Sequence, residues 1–368
     1  MQTDLLVYAH TRDVGSGTCE VSGERRKSLF KDRKKRIWCS VLSFDTNEGG
    51  SVSLLEQVEV LWKQGAEKKA AGWAAKLRDA NDSILSAKQQ FREWYPLKVY
   101  LSYTNATKSE IDFSIRYLGQ QVATLQVKPS GDVFIYISEK TATLNDEKFG
   151  IDLQGTHLWR GAKAQKFRKH FRCLNPSDYF SSVKSEEHHI ESEFLRHMKN
   201  PSAKKFNGTL RGIQPVMLGG FPFQFPVPIS GNSGVPKLTN GNIDILARRG
   251  TGKGTKISIW ELKRPKTTAH AISQAYIYSV TLLKMLRTPQ SGGIWYRDII
   301  GFGGKMPEKL TIESVVAVSI ASERHRKVFE DKLRAFKHEN PLTIGNDTIN
   351  LHIAHYQKDP LTVEMMKF

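Results

Sequence analysis

The spacing of apolar residues in the first third of the chain predicts one long helical segment. From 54 to 94 apolar side chains recur every three or four positions, which is the spacing of an amphipathic helix. Gly65 and Gly72 are candidate interruptions of this helix, and Pro96 is a natural stop after it. We therefore expect a helical region that packs one apolar face against the rest of the protein.

Alternating apolar and polar positions follow this helical segment. Residues 97–138 form four short alternating runs that are separated by Gly- and Pro-containing turns, so they predict a β-meander. Short strand-like runs also occur at 2–9 and 37–44. Together these patterns predict an α+β module in the first half of the chain.

The second half mixes both periodicities. Strand, helix and strand in succession favour an α/β core over an all-β one. A Gly-, Pro- and Phe-rich region at 207–241 predicts short strands with a long bent connection. The remaining predicted elements are helices at 182–199, 268–286 and 323–339 and strands at 313–321 and 347–356.

A predicted hairpin carries the most unusual polar side chains. Short apolar runs at 243–247 and 257–260 flank a Gly- and Lys-rich turn, as in a β-hairpin. Strand alternation places Glu261 and Lys263 on one face, and hairpin pairing can bring Asp244 to the same face. Two carboxylates and an amine at the end of an apolar hairpin are costly to bury without a role. A hard divalent cation, Mg²⁺ or Mn²⁺, explains the carboxylates because such ions prefer oxygen ligands.

The composition of the chain indicates which class of partner it binds. The chain has 368 residues, of which 39% are hydrophobic, and its formal net charge is +18. Such an excess of positive charge predicts a polyanionic partner, with nucleic acid first and an anionic membrane surface second. No apolar run reaches 18 residues, the N-terminus lacks a secretory pattern, and the three cysteines are too scattered for a disulfide framework. We expect a reduced, cytoplasmic protein that does not span a membrane.

Two basic segments could contact phosphates. Residues 23–36 contain eight Lys or Arg, and residues 157–172 place basic residues at or near helical spacing. For the first segment, a solvated basic loop is an equally good interpretation, since charge runs alone are weak evidence.

The predicted helix at 182–199 carries acidic residues on or beside its apolar stripe. Glu187 lies within the stripe and Glu191 lies next to it, so either could complete a metal site. The alternative is a boundary carboxylate that reaches water or a cation. His188 and His189 are adjacent and cannot share a helical face, which argues against zinc.

The order of these residues resembles the PD-(D/E)xK nuclease superfamily. Asp244 precedes Glu261-Leu262-Lys263 by 17 positions, and Gln274 and Tyr278 follow on a predicted helix. This Gln-x-x-x-Tyr pattern is similar to the QxxxY signature of the RecB-like branch. The chain departs from the family where Ile243, and not Pro, precedes the Asp.

The resemblance implies a restriction-endonuclease-like mixed sheet flanked by helices, and it implies roles for the hairpin residues. Asp244 and Glu261 would hold one or two Mg²⁺ ions, with the Leu262 carbonyl as a further ligand. Lys263 would orient or deprotonate the attacking water and stabilise the charge that builds on phosphorus. A surface ion-pair ladder is the structural alternative for these charges.

Further roles follow from the same resemblance. Glu187 or Glu191 would be an outer or second-metal ligand, and Gln274 and Tyr278 would lie beside the site and steady the DNA backbone or the surroundings of Lys263. The implied phosphate-binding cations are Arg248, Arg249, Lys253, Lys256, Arg264 and Lys266.

A second resemblance concerns the whole chain. WELKRP followed by a Gln-centred helix is similar to the nuclease domain of Shedu-type antiphage defence proteins, which carry a variable N-terminal module. We expect an α+β accessory domain at 1–176, DNA-binding or regulatory, and a nuclease domain at 177–368. The expected function is a metal-dependent DNA endonuclease in bacterial antiphage defence, acting as a homo-oligomer. Two alternatives stay open: a sequence-specific restriction endonuclease and a non-catalytic nucleic-acid-binding protein.

Overall fold

A computed structural model of the chain describes residues 52–82, 84–85, 96–102, 111–128, 130–139, 141, 153–174, 186–199, 208–210, 212–250, 256–264, 270–319, 322–358 and 360–366. The predicted strands at 2–9 and 37–44, the basic segment 23–36, Lys253 and Lys266 lie outside the described residues. Residues Val52–Phe368 form one compact unit. The domain boundary predicted after residue 176 falls within 175–185, also outside the described residues, and it stays a prediction.

The first helical region is interrupted once in its described part. Helix α1 spans Leu54–Leu61 and α2 spans Glu67–Asp79, with a π-helical turn between them. Ser53 caps α1, because its hydroxyl accepts from the Glu56 N–H while the Glu56 carboxylate accepts from the Ser53 N–H. Gly65 lies in the π-helical turn with φ 136°, so this predicted interruption is confirmed. The predicted interruption at Gly72 is wrong, since buried neighbours hold that residue inside α2 at a cost of only about 1 kcal/mol for glycine.

The predicted meander is confirmed as an antiparallel sheet with one additional strand. Its strands run in sequence order and are β1 Leu97–Ser102, β2 Ile111–Tyr117, β3 Gln120–Val127, β4 Val133–Ile137 and β5 Gly155–Leu158. Helix α3, Ala162–Cys173, follows directly and places Phe167 and Phe171 in the core. The ring of Phe171 lies 5.1 Å from that of Tyr117 on β2. The predicted helix from 162 onward is therefore confirmed.

The second half forms a mixed sheet with helices, which confirms the α/β prediction at this level. Helix α4 covers Glu186–Lys199, and the region at 207–241 contains the predicted short strands. These strands are β6 Ile213–Pro215, β7 Met217–Leu218, β8 Phe221–Pro222, β9 Phe225–Val227 and β10 Gly241–Ile243. The later elements are β11 Ile245–Arg249, β12 Lys256–Lys263, α5 Ala271–Arg287, β13 Thr311–Val318, α6 Glu323–Glu339, β14 Thr343–Ile344, β15 Asp347–Gln357 and β16 Thr362–Met365.

The strand order of this sheet is β14-β15-β13-β12-β11-β6, with β16 beside β15. Strands β12, β13 and β15 are parallel neighbours, and the others pair antiparallel. Alternation along β12 divides the sheet into two faces. Ile257 and Ile259 belong to the core that contains α5, whereas Trp260 and Leu262 belong to the core that contains α4. Parallel strands buried on both faces explain the near-continuous apolar runs.

The α5 core continues from the second sheet into the first. Buried side chains of β2 to β4 and of α5 belong to one hydrophobic cluster. None of the helices in the described part of the chain is both long enough and apolar enough to cross a membrane.

Candidate active site

The hairpin brings the three predicted side chains together at the end remote from its turn. Ile245 pairs with Trp260, so Asp244, just before β11, lies level with Glu261. The Lys263 Nζ lies 3.4 Å from the Glu261 Oε2 and 4.0 Å from the Asp244 Oδ2. The Asp244 Oδ2 also accepts a hydrogen bond from the backbone N–H of Leu262 at 2.9 Å. This hydrogen bond from the β12 backbone holds the Asp244 carboxylate against the end of β12.

Burial makes this group of charges costly. Glu261 is fully buried, and the side chain of Lys263 is only 13% exposed. Burial and the neighbouring Asp244 hold the pKa of Glu261 well above its ordinary value. Burial likewise raises the pKa of Asp244 to about 6, against the opposing charge of Lys263. One ammonium thus faces two carboxylates in a poorly solvated site.

Lys263 is held in its charged form. Burial favours the neutral amine, but the charges of Asp244 and Glu261 outweigh burial, so the pKa of Lys263 lies above its ordinary value. The ammonium donates to Glu261 and keeps its charge next to both carboxylates. In this state Lys263 is a donor and a fixed positive charge.

The donor set fits a hard divalent cation. The Glu261 Oε1 is buried and has no hydrogen-bond partner in the part of the chain that the structure describes, which is an unusual cost unless a ligand binds to this oxygen. The N–H of Leu262 points to Asp244, and the carbonyl of the same residue faces the same side of a strand. Among the described residues, no group of three or more His, Cys, Asp or Glu side chains could hold a metal. Two carboxylates are nevertheless sufficient for Mg²⁺ when water and substrate phosphate supply the other ligands.

The two candidate glutamates of α4 have different surroundings. Both Glu191 oxygens accept from Arg116 at 3.3 Å, and one also accepts from Gln224 at 3.1 Å. Burial opposes ionisation of Glu191, but Arg116 and His188 outweigh it and hold its pKa below the ordinary value. Glu191 is therefore an anion held by the first sheet, and its charge contributes to the raised pKa of Asp244.

Glu187 lies one turn earlier on α4 and is more exposed. Its carboxylate is 3.7 Å from the Arg264 guanidinium. Its charge raises the pKa of both Asp244 and Lys263, which places it within electrostatic reach of the hairpin site. Glu187 is thus the α4 carboxylate that an incoming cation or phosphate would meet at the rim of the site.

The predicted Gln and Tyr of α5 form a hydrogen-bonded group beside the carboxylates. The Tyr278 hydroxyl donates to the Asn232 Oδ1 at 2.7 Å, and the Gln274 Nε2 donates to the same oxygen at 3.1 Å. Burial, followed by the charge of Glu261, raises the pKa of the Tyr278 hydroxyl. A Cβ on Gly241 would lie 2.8 Å from that hydroxyl, so the chain before Asp244 packs directly on Tyr278.

The predicted phosphate-binding cations do not all lie near the site. Arg249 and Lys256 lie opposite each other on the two strands at the turn end of the hairpin. Both form ion pairs with the Glu313 carboxylate on β13, Arg249 at 3.0 Å and Lys256 at 3.5 Å. Arg248, next to them, donates to the Gly301 carbonyl. Lys256 and Glu261 are five positions apart, which is about 17 Å along a strand. Of the predicted phosphate-binding cations that lie in the described part of the chain, Arg264 is the one that contacts a carboxylate at this end of the hairpin, that of Glu187.

Three contacting residues were not predicted from the sequence. Arg116 and Gln224 hold Glu191, and Asn232 joins Gln274 to Tyr278. The Gly-Asn-Ser-Gly run around Asn232 is a turn signal that could have indicated an exposed side chain near a site. No local pattern links Arg116 or Gln224 to α4.

No family model matches the chain, and neither the curated proteins nor the solved structures include a match. The functional assignment therefore depends on the site itself.

Proposed function

We propose that the protein is a metal-dependent DNA endonuclease that hydrolyses phosphodiester bonds, with Mg²⁺ or Mn²⁺ as the cation. The observation that carries this proposal is the convergence of Asp244, Glu261 and Lys263 at the open end of one hairpin. The proposal includes a restriction-endonuclease-like core, a homo-oligomeric state and a role in antiphage defence, which come from the resemblance to PD-(D/E)xK and Shedu-type nucleases. It also includes a cytoplasmic location, which comes from the few scattered cysteines.

The carboxylates would hold the cation. The Asp244 carboxylate is held by the Leu262 N–H, and the Glu261 Oε1 has no hydrogen-bond partner among the described residues, which supports a shared cation as the ligand of both. A bound divalent cation would polarise the phosphoryl group and lower the pKa of its bound water. Binding would also offset the burial, and the weaker repulsion from neighbouring carboxylates, that raise the pKa of both carboxyls.

Lys263 would stabilise the negative charge that develops on the reacting phosphate. Because the two carboxylates keep its amine protonated, Lys263 supplies a donor to a non-bridging oxygen or to the attacking water. Water would add to phosphorus, and the bond to the 3′-oxygen would break. Neutralisation of the carboxylates by a cation would lower the pKa of Lys263 and bring it closer to a role as proton acceptor.

The surrounding residues would hold the catalytic side chains in position and contact the substrate. Asn232, Gln274 and Tyr278 are joined by hydrogen bonds, and Tyr278 is close enough to Glu261 for its charge to raise the pKa of the hydroxyl, after burial. Arg264 and Glu187 lie at the rim, where Arg264 would contact a substrate phosphate.

Cleavage of defined substrates tests the proposal. The wild type, Lys263→Ala and Glu261→Ala are incubated with supercoiled, linear and single-stranded DNA, with and without Mg²⁺. We expect wild-type nicking only with metal and no cleavage by either variant at unchanged fold. Lys332→Ala, an exposed change on α6, is the matched control and should cleave like the wild type.

Unchanged nicking by Lys263→Ala would refute the proposed chemistry. Cleavage at one reproducible sequence would favour a restriction endonuclease over scattered cutting. Metal-independent DNA binding without any cleavage would favour a non-catalytic binding protein.

A further inference from the structure

Helix α3 has a charge composition unlike that of the other long surface helix. It contains five Lys or Arg, and the chain has no Asp or Glu from 153 to 174. Helix α6 is also rich in cations, but Glu323, Glu330, Asp331 and Glu339 are interspersed among them. Ion pairs such as Arg326–Glu330 and Arg334–Asp331 neutralise part of that surface. Helix α3 has no internal acid that could do the same.

The buried side of α3 fixes which cations face outward. Ala164, Phe167 and Phe171 are at most 1% exposed, so the helix cannot rotate without removing two rings from the core. Arg168 turns inward, where its guanidinium stacks 4.6 Å from the Trp159 ring and donates to the Trp159 carbonyl. The other four cations of the helix are exposed: Lys163, Lys166, Lys169 and Arg172.

The geometry of these four positions suits a phosphate backbone. In an α-helix, a residue three positions further along lies about 60° back around the helix axis. The four cations therefore cover about 180° of the helix surface, on the side that faces solvent. The first and last are nine residues apart, or about 13.5 Å along the axis. One strand of duplex DNA places about four phosphates along that length, since they recur about every 3.4 Å of helix axis.

We propose that the outward face of α3, defined by Lys163, Lys166, Lys169 and Arg172, is a docking surface for the phosphate backbone of a nucleic acid. The surface binds without reading sequence, because flexible ammonium groups contact phosphates and carry no base information. It provides a binding site in the first half of the chain, separate from the hairpin site and from the cations at the turn of that hairpin.

An anionic membrane surface fits this helix less well. Helices that lie in a membrane interface insert Trp, Phe or Leu on the side opposite their cations. The two aromatic residues of α3, Phe167 and Phe171, are instead buried in the protein core. The exposed positions that are not basic are Ala162, Gln165 and Cys173, none of which is a large apolar anchor.

The identity of the partner as a nucleic acid rests on the proposed nuclease function, but the binding of phosphate by the α3 surface does not. Binding is therefore measured in EDTA, where no metal-dependent cleavage occurs. Failure of the α3 surface would leave the hairpin chemistry untouched. Loss of the nuclease assignment, through full activity of Lys263→Ala, would not change the binding result.

The experiment compares two matched sets of four substitutions. The first removes Lys163, Lys166, Lys169 and Arg172 of α3, each replaced by Gln. The control replaces the exposed Arg324, Lys327, Lys332 and Arg334 of α6 by Gln, so the net charge falls by the same amount. A third variant, with the three α3 lysines changed to Arg, keeps the charge. Affinity for a short duplex DNA is measured by fluorescence anisotropy over a range of salt concentrations, and folding is checked by circular dichroism.

We expect the α3 variant to bind DNA roughly tenfold to a hundredfold more weakly than the wild type. The plot of log K against log salt concentration should also become less steep by up to about 3.6, because each of the four lost phosphate contacts contributes about 0.9 to the slope. The α6 control should lose much less, and the Lys-to-Arg variant should bind like the wild type. Equal losses for α3 and α6 would overturn the proposal, because net charge alone would then explain binding. Unchanged DNA binding with loss of binding to phosphatidylserine-containing vesicles would also overturn it, in favour of a membrane surface.

Discussion

The replacement of Glu261 by Gln is expected to stabilise the metal-free protein while it removes function. Glu261 is fully buried, and within the described residues its Oε1 has no hydrogen-bond partner and its one cationic neighbour is Lys263, which also contacts Asp244. Without a bound cation, the site buries two carboxylates beside a single ammonium, which is electrostatically unfavourable. Gln keeps the shape of the side chain and removes the charge, while Asp244 still compensates Lys263.

The magnitude follows from the cost of the buried charge. A buried polar group without a partner costs about 1–3 kcal/mol, and the cost is larger when the group is charged, so Gln removes the part that belongs to the charge and leaves an uncharged amide in the same place. The ion pair of Glu261 with Lys263 offsets part of the cost of the charge, so we expect a net gain of about 1–2 kcal/mol in the free energy of unfolding. For a unit of this size that corresponds to a rise of about 1.5–3 °C in Tm.

Thermal unfolding in EDTA and at increasing Mg²⁺ is the assay. A ligand at a hundredfold excess over its Kd stabilises by about 2.7 kcal/mol, so saturating Mg²⁺ should make the wild type the more stable protein. The variant should respond far less. Because the pKa of Glu261 is raised above its ordinary 4.5, the penalty of its charge is absent at low pH and grows as pH rises. The difference in EDTA should therefore vanish as pH falls below about 4.5.

Glu313→Gln is the matched control on the neighbouring strand. Glu313 is also buried, but Arg249 and Lys256 both contact its carboxylate. Its replacement should cost about 1 kcal/mol, since both cations are partly exposed, and should not alter the response to Mg²⁺. The reasoning is refuted if Glu261→Gln destabilises the metal-free protein as Glu313→Gln does, or if both variants gain the same stability from Mg²⁺.

Two further predictions concern the contact between the first sheet and α4. Arg116→Met leaves the Glu191 carboxylate buried without its guanidinium partner and should cost about 3 kcal/mol in urea unfolding, and Glu191→Gln in the same chain should recover most of it; equal stability of Arg116→Met and wild type would contradict the ion pair. Gly119→Ala should cost much more than Gly131→Ala. Both glycines have positive φ, 89° and 85°, but of the two only Gly119 would bring its new Cβ into a clash, with the carbonyl oxygen of His188. Equal losses of Tm for the two alanine variants would show that α4 does not pack there.

The hairpin and its partners could be predicted because their signals are local. Alternation along one strand sets the faces of Glu261 and Lys263, and a Gly-rich turn sets the pairing that brings Asp244 level with them. The four-residue spacing of Gln274 and Tyr278 likewise specifies a shared helix face, where their hydrogen bond forms.

Other features depend on contacts between distant segments. Arg116 and Glu191 are 75 positions apart, and no periodicity relates a strand of the first sheet to a helix of the second half. Arg249 was expected near the carboxylates because it is close in sequence to Asp244, yet a strand is extended, so a few residues carry it to the opposite end of the hairpin. Gly65 and Gly72 are the same residue type, and only packing decides which one ends a helix.

Diffraction from crystals soaked in Mn²⁺ tests the central claim most directly, because the anomalous signal locates the cation. The account predicts one strong peak about 2.0–2.2 Å from oxygens of both Asp244 and Glu261, with the Lys263 amine beside it but not bound. A soaked crystal in which both carboxylates stay without metal, or in which Mn²⁺ binds only elsewhere, would contradict it.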